Sequence, residues 1–291
     1  MRAYCLTCEL LSKASEQAQV IWYGLGMLGC EEESVGDRIR LKCYFADSAS
    51  LHAAEFYLMD LNPCQPITIS VVKDEDWNAT WKQSMKPVQV TKGIWVSPGW
   101  LRPPVSSGQK WIKIEPKMAF GTGHHESTRL ACKALAGQIV RAGPAPAILD
   151  IGTGSGILCF VADRLKTSFA AGVDVDPVCA SNLAENLRKN RPHSRISFAI
   201  GTLDIFKKDG LFDIAVMNMI SSEGMPLLER IAPLLKPRGV FIWSGLLLDE
   251  KKRIIETASK KNFILQNDTG ENEWWCGIFN KEATYTNGDM D

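Results

Sequence analysis

Residues 149–156 constrain the fold of this 291-residue chain more than any other part of the sequence. They read LDIGTGSG, a short apolar run followed by glycines at alternate positions, and a helical apolar pattern comes directly after them. Such glycines allow a tight turn and let a ligand approach the backbone at the start of a helix. The segment therefore predicts a strand, a turn and a helix of an open α/β sheet, with a ligand site at the turn.

Strand and helix patterns alternate over the rest of the second half. Helical spacing is found at 127–141, 155–165, 177–190, 225–235 and 249–261, and strand-like runs are found at 147–151, 170–175, 196–200, 212–217 and 240–243. A hairpin-like pair of runs at 263–267 and 274–279 completes the pattern. Repeated βα units predict a doubly wound, mostly parallel sheet over residues 119–291.

Polar residues end two more of the predicted strands. Asp174, in GVDVDP, lies 22 residues after Gly152, where a carboxylate can accept hydrogen bonds from both hydroxyls of an adenosine ribose. Asn218 ends the strand in FDIAVMN, and ligands of open α/β sheets bind beyond the carboxyl ends of strands. For Asn218 a plain turn role is an equal alternative.

Residues 119–128, AFGTGHHEST, place two glycines and the histidines His124 and His125 before a predicted helix. We expect this loop to fold over a cofactor, while a plain helix cap at Ser127 or Thr128 is the alternative. Neighbouring histidines rarely converge on one metal ion, and no other ligand motif accompanies them. No metal is therefore expected.

The glycine turn fits a dinucleotide fingerprint poorly, because Ile157 stands where G-x-G-x-x-G has its third glycine. A literal G-x-G-x-x-G occurs at 24–29, but at the end of a helical pattern rather than between a strand and a helix. There, glycines that end a helix are the expected interpretation.

Residues 1–72 predict a small ferredoxin-like α+β domain. Strand-like runs at 2–11, 37–46 and 67–72 alternate with helical spacing at 14–28 and 50–61, in the order β-α-(β)-β-α-β. The segment carries 5 basic and 9 acidic residues, a net charge of −4, which would suit a basic partner.

Residues 73–118 predict an ordered connector between the two domains. They contain five tryptophans, Trp77, Trp81, Trp95, Trp100 and Trp111, and five prolines. That composition is unlike a flexible Gly/Ser linker, and tryptophans at this density usually pack against other residues.

The remaining composition excludes several classes of protein. No apolar run reaches the roughly 18 residues of a membrane span. The 33 basic and 33 acidic residues argue against a general nucleic-acid binder. The nine cysteines, without an export signal, predict reduced thiols in the cytoplasm, and Cys5-x-x-Cys8 is expected to be structural, with a redox or metal role as the alternative.

The second half resembles class I S-adenosylmethionine-dependent methyltransferases through LDIGTGSG, GVDVDP and FDIAVMN. More specifically, it is similar to the ribosomal protein L-eleven methyltransferase (PrmA) family through EPKMAFGTGHHESTRLA, VMNMI, WSGLLLDE and GENEWWCGIF, over about residues 74–281. The resemblance implies an N-terminal ferredoxin-like domain, a connector and a Rossmann-like methyltransferase domain.

The resemblance also implies roles for individual residues. Thr128 would contact S-adenosylmethionine, Gly152 would approach its methionine part, and Asp174 would hold its ribose. Gly154 would be a further cofactor-binding residue. Asn218 would line the pocket beside the methyl donor and position the incoming amine. His125 is a candidate catalytic residue, with Glu126, through nearness in sequence alone.

The function implied is methyl transfer to lysines of a basic ribosomal protein, with the N-terminal α-amine as a further acceptor. The same core also resembles the lysine methyltransferase of an electron-transfer flavoprotein, so another protein or a small amine is an alternative substrate. A binding module that keeps S-adenosylmethionine without turnover is a further alternative. An NAD-dependent oxidoreductase is disfavoured by Ile157.

Overall fold

The structure, a computed structural model, describes residues 2–36, 38–59, 61, 67–73, 85–117 and 119–282. The chain divides into two compact units, Met1–Met85 and Lys86–Asp291. No helix among the described residues is both long enough and apolar enough to cross a membrane.

The first unit is a four-stranded antiparallel sheet covered by two helices. Its elements are β1 (Arg2–Leu11), α1 (Ser12–Gly24), β2 (Met27–Val35), β3 (Arg38–Phe45), α2 (Ser48–Met59) and β4 (Thr68–Lys73). The strand order is β2-β3-β1-β4. Leu6, Cys8 and Leu10 alternate along β1 and are buried in one core with Trp22 and Leu58 of the helices, which is the period-two pattern of a half-buried strand.

One predicted boundary in this unit is wrong. The helix predicted at 14–28 ends at Gly24, and Met27 already begins β2. Gly26 adopts a φ of 91°, a left-handed conformation that a helix cannot contain. Gly24 therefore ends the helix, as the sequence predicted, and Gly26 forms the turn, while Gly29 already lies in β2.

The second unit contains two sheets. The small one consists of β5 (Val88–Thr91), β6 (Ile94–Ser97) and β7 (Lys110–Lys113). The large sheet has strands β8 (Ala147–Ile151), β9 (Phe169–Asp174), β10 (Arg195–Ile200), β11 (Phe212–Asn218), β12 (Leu235–Leu247), β13 (Phe263–Glu271) and β14 (Trp274–Lys281). The helices are α3 (Glu126–Ala142), α4 (Ile157–Arg164), α5 (Cys179–Asn190), α6 (Ser221–Gly224), α7 (Leu228–Leu234) and α8 (Lys251–Ser259).

The large sheet has the order β10-β9-β8-β11-β12-β14-β13. Neighbours from β10 to β12 are parallel, whereas β14 is antiparallel to both β12 and β13. Side chains alternate along β8, so that Ile148 enters one core and Leu149 enters the core on the opposite face. The predicted Rossmann-like domain, a mostly parallel sheet with a packed core on each face, is confirmed.

The small sheet packs against the large one through aliphatic residues. Val90, Ile94 and Ile112 are buried in the core that α3 and α4 share with the large sheet. Trp95 and Trp111 are only half-buried, and each indole nitrogen donates a hydrogen bond to a polar side chain nearby. The order of this part of the connector therefore depends on valine and isoleucine; Trp77 and Trp81 lie outside the described residues.

Candidate functional site

The site lies where β8 and β11 run side by side in the centre of the large sheet. Strands are added in opposite directions on the two sides of this pair, so the loops that leave the two strands diverge and open a crevice at their carboxyl ends. The glycine-rich turn follows β8, and Asn218 is the last residue of β11.

The glycines of the turn are required by their backbone conformation. Gly152, Gly154 and Gly156 have φ values of 67°, 51° and 82°. A Cβ atom on Gly154 would lie 2.6 Å from the carbonyl oxygen of Phe120, and one on Gly156 would lie 2.8 Å from the ring of Phe198. Any other residue here would combine a strained φ with a collision, so the turn is a backbone surface that only glycine provides.

The FGTGHH loop rests on this turn. The backbone nitrogen of Ser155 donates to the Phe120 carbonyl at 2.9 Å, and the Ser155 hydroxyl donates to the Gly121 carbonyl at 2.6 Å. Phe120 itself is 57% exposed. The loop thus stands beside the position where a ligand would approach the turn, and it leaves part of the Phe120 ring accessible there.

Asp174 ends β9 beside the same turn. Its Oδ2 accepts a hydrogen bond from the Gly154 backbone nitrogen at 2.8 Å, and its Oδ1 accepts from Asp176 at 3.0 Å. Each carboxylate oxygen has a second lone pair, and the residue is partly exposed, so both oxygens can accept a further hydrogen bond from a ligand hydroxyl.

Asn218 and Thr128 meet across the crevice. The Asn218 amide nitrogen donates to the Thr128 hydroxyl oxygen at 3.3 Å, and Thr128 is 1% exposed. The Asn218 Oδ1 is buried and has no hydrogen-bond partner. Because an unpaired buried acceptor is costly, this oxygen is a candidate partner for a ligand N–H.

Met219 covers part of the turn. A Cβ atom on Gly152 would collide with the terminal methyl of Met219, so that side chain lies directly against the glycine. The Met219 backbone is held by the Ser244 carbonyl at 3.0 Å and by the Trp243 indole nitrogen at 3.0 Å. Its flexible side chain can change rotamer while the backbone stays fixed, so the surface of Gly152 can be uncovered.

His125 caps a helix. It is the N-cap residue of α3, and its Nδ1 accepts a hydrogen bond from the Ser127 backbone nitrogen at 3.2 Å. Its ring packs edge-on against Phe120 and Trp274. Because Nδ1 accepts in the cap, Nε2 carries the proton of the neutral ring and can only donate a hydrogen bond.

Glu126 forms an ion pair with Arg129. Its own backbone N–H and the neighbouring Arg129 lower the pKa of its carboxyl group, which makes it a weaker base. Among the described residues, no group of three or more His, Cys, Asp or Glu side chains could hold a metal ion.

Asp150 is a site residue to which the sequence assigned no role. It is fully buried beneath the turn, where its Oδ2 accepts from the Thr153 hydroxyl at 2.6 Å, while its Oδ1 has no partner. Burial raises the pKa of Asp150 to about 7. The signal in the sequence was an acidic residue inside an otherwise apolar strand.

A second set of residues missed from the sequence is an asparagine ladder on α5. Asn186 accepts from the Glu115 backbone nitrogen at 3.0 Å and donates to the Ser155 carbonyl at 2.9 Å. Asn190 bonds both backbone groups of Lys113. These amides hold the end of β7 and the segment after it, and Asn186 ties that segment to the glycine turn. Their i, i+4 spacing on one helix face was the available signal.

The structure therefore brings the predicted binding residues together. Gly154 and Asp174 are hydrogen-bonded, Asn218 and Thr128 are hydrogen-bonded, and Gly152 contacts the residue after Asn218. A glycine surface, a ribose-competent carboxylate and an unpaired buried amide oxygen fit an adenosine ligand that carries a reactive tail toward Asn218.

Sequence comparisons relate this chain to one family of known proteins. The sequence model of the family described as ribosomal protein L11 methyltransferase (PrmA) matches residues 7–282. Ribosomal protein L11 methyltransferases of Bacillus cereus strain G9842 and of Bacillus anthracis are each 30% identical over 275 residues, covering 91% of this chain and 86% of each relative.

A solved structure, a ribosomal protein L11 methylase from Lactobacillus delbrueckii subsp. bulgaricus, has a similar fold. Its TM-score is 0.61 at 24% identity, and the match covers 68% of this chain and all of that one.

Proposed function

We propose, from the premise that the chain belongs to the ribosomal protein L11 methyltransferase (PrmA) family, that it methylates amines of ribosomal protein L11. The acceptors would be lysine ε-amines, with the N-terminal α-amine as a further one. Membership makes the chain a methyltransferase that uses S-adenosylmethionine, and the family, the enzyme class and the cofactor predicted from the motifs are confirmed.

The observation that carries the proposed chemistry is the unpaired Oδ1 of Asn218. The amide nitrogen is already engaged with Thr128, so the amide oxygen is the group of Asn218 left for a ligand. An amine that attacks a methyl group must point its lone pair at the carbon and its N–H bonds elsewhere. The Asn218 oxygen would accept one of those N–H bonds and thereby orient the nucleophile.

Cofactor binding would be divided among the residues around the turn. Gly152 and Gly154 would receive the methionine part, Asp174 would accept hydrogen bonds from the ribose hydroxyls, and Thr128 would support the pocket beside Asn218. When bound, S-adenosylmethionine supplies a methyl group on a sulfonium sulfur, which is already a strong electrophile.

The amine must reach the pocket neutral, although a free lysine has a pKa near 10.4. The acceptor at Asn218 is a neutral amide rather than a carboxylate, so it does not favour the protonated form. The half-buried ring of His125, with Phe120 and Trp274, would displace water around the lysine methylenes and favour the uncharged amine. In this proposal His125 shapes the entrance and is not the base: its Nδ1 accepts the cap hydrogen bond, so Nε2 carries the proton of the neutral ring and is a donor.

Substrate recognition is assigned to residues 1–72. We infer a ferredoxin-like domain there, supported by the β-α-β-β-α-β order and the sheet order β2-β3-β1-β4. Its net charge of −4 would favour a basic ribosomal protein over nucleic acid. Residues 73–118 would form the connector and residues 119–291 the methyltransferase domain.

A cytoplasmic location belongs to the same proposal. It is supported by the eight described cysteines, all of which are free thiols.

The test combines labelling with a matched pair of variants. The full chain is incubated with methyl-labelled S-adenosylmethionine and unmethylated ribosomal protein L11, and mass spectrometry locates the label. Asn218→Ala should lower the single-turnover rate by about 10²–10³, the usual effect of losing one positioned polar group in an active site.

Asn267→Ala, at an exposed position on β13, is the control and should retain the full rate. Cofactor binding without label on L11 would reject the substrate, and labelling that survives Asn218→Ala would reject the role of the amide oxygen.

A further inference from the structure

Two cysteines of the first unit face each other across neighbouring strands. Cys30 on β2 and Cys43 on β3 are direct partners in the antiparallel register. Residues paired in this way have Cα atoms about 4.5–5.5 Å apart, within the range that a disulfide spans. Their Sγ atoms are 2.6 Å apart, closer than two sulfur atoms that merely pack together.

The two thiols differ in exposure. Cys43 is fully buried in the core of the unit, whereas Cys30 is partly exposed near the sheet edge, because β2 is an outer strand. A reagent in solution therefore reaches Cys30 first, and Cys43 can respond only to a change at Cys30.

The two thiols also differ in acidity. The hydrogen bond from the Cys43 thiol lowers the pKa of Cys30, and the same hydrogen bond, together with burial, raises the pKa of Cys43. The nearby Cys8 is buried, which raises its pKa to about 12. Cys30 is thus the favoured thiolate of the cluster, and a thiolate is the reactive form of cysteine.

The geometry points to a reversible thiol–disulfide site at Cys30 and Cys43, which takes a small neutral peroxide as its oxidant. Glu31 and Glu32 follow Cys30 directly and are exposed, so they repel anionic oxidants but not hydrogen peroxide. The assignment concerns the first unit alone and does not depend on the methyl acceptor.

The chemistry takes two steps. The Cys30 thiolate sulfur attacks one peroxide oxygen, the O–O bond breaks, and the products are a sulfenic acid and a hydroxide ion that takes up a proton to become water. The Cys43 sulfur then attacks Cys30 Sγ, the S–S bond forms, and the departing hydroxide takes the Cys43 proton as a second water. Two thiols are oxidised, one peroxide is reduced, and a dithiol reverses the change by exchange.

The experiment uses the full chain, fully reduced and freed of reductant. After hydrogen peroxide treatment and alkylation, non-reducing digestion and mass spectrometry should find a peptide pair joined through Cys30 and Cys43, lighter by two hydrogen atoms. Alkylation of Cys30 should be lost completely, and dithiothreitol should restore it.

Two variants separate this site from general oxidation. Cys43→Ser should leave a Cys30 sulfenic acid that dimedone traps, because the resolving thiol is gone. Cys5→Ser is the control and should still give the linked pair. Cys5 pairs with Tyr44, which is one residue along β3 from Cys43, so Cys5 lies on the other face of the sheet.

A disulfide from Cys30 to Cys8, to Cys64 or to a second chain would overturn the assignment. An unchanged rate of Cys30 alkylation after peroxide treatment of the unmutated chain would overturn it as well, and this measurement does not depend on any variant folding.

Discussion

Two glycine-rich segments of this chain look alike in sequence and differ in structure. Residues 24–29 match the dinucleotide fingerprint letter for letter, whereas the turn at 152–156 lacks its last glycine. A Cβ atom added to Gly24 or Gly29 would meet nothing within 4 Å. At Gly154 and Gly156 it would collide. The value of a glycine motif therefore depends on what approaches its backbone.

The difference arises from the elements on either side. The first segment runs from the last residue of α1 into β2, an outer strand that pairs only with β3 among the described strands. The second follows β8 in the middle of the sheet, where the loop containing Phe120 and the residue after β11 both converge on it. A glycine is indispensable where closely packed atoms leave no room for a Cβ, and such packing surrounds the end of a central strand.

The largest effect that separates the two segments is expected for Gly154→Ala. Its φ of 51° and the 2.6 Å approach of the Phe120 carbonyl combine backbone strain with a collision against backbone, which cannot move aside. We expect a loss of about 4 kcal/mol in the free energy of unfolding and no measurable S-adenosylmethionine binding. Urea denaturation and calorimetric titration measure the two quantities; unchanged stability would show that the turn tolerates a side chain.

The next effect concerns the carboxylate beneath the turn, which has no counterpart at 24–29. Burial raises the pKa of Asp150 from 3.8 to about 7, so the folded state holds a proton that the unfolded state releases. The contribution of protonated Asp150 to the free energy of unfolding is complete below pH 4. It is lost as the pH rises to 7, because the folded state binds more protons than the unfolded state in this window.

Asp150→Asn removes this titration. Between pH 5 and pH 8 the free energy of unfolding should fall in the unmutated chain by about 3 kcal/mol more than in the variant. Other titrating groups are common to both proteins, so the difference between their pH profiles isolates Asp150. Parallel profiles would contradict the raised pKa.

A smaller effect is expected at the edge of the turn. Asp174→Asn replaces one of two acceptor oxygens with a donor that would face the Gly154 backbone nitrogen or a ribose hydroxyl. The loss of one charge-assisted hydrogen bond should weaken S-adenosylmethionine binding about tenfold to a hundredfold. Asp209→Asn, in the loop before β11 and away from the turn, is the matched control, and equal affinities for the two variants would argue against Asp174 as the ribose residue.

The sequence predicted the parts of this site that depend on local pattern. Short apolar runs located β8, β9 and β11, and the glycine turn, Asp174 and Asn218 that follow or end these strands therefore lie at the same edge of the sheet. Met219 over Gly152 and the asparagine ladder of α5 could not be predicted, because both depend on which distant segment faces them. For β2 no bounds were predicted from the sequence: residues 27 and 28 were predicted as the end of a helix, and Glu31, Glu32 and Glu33 hide the strand pattern in the residues that follow.

The structure explains those glutamates. β2 is an edge strand, and charged side chains on an edge protect its free backbone groups from pairing with another chain. Glu33 and Glu31 pair with Arg40 and Lys42 on the neighbouring β3. A strand held by cross-strand ion pairs has no apolar alternation to detect in a single sequence.

The smallest effect, and one of opposite sign, is expected for Gly24→Ala. Gly24 is the last residue of α1 and does not have a positive φ, and an added methyl group has open space. Alanine restricts the unfolded chain more than glycine does, so the free energy of unfolding should rise by about 0.5–1 kcal/mol. Denaturant midpoints of Gly24→Ala and Gly154→Ala should therefore shift in opposite directions. If both midpoints fell, Gly24 would be needed for more than ending a helix. The two glycine segments would then differ only in how strongly each requires glycine.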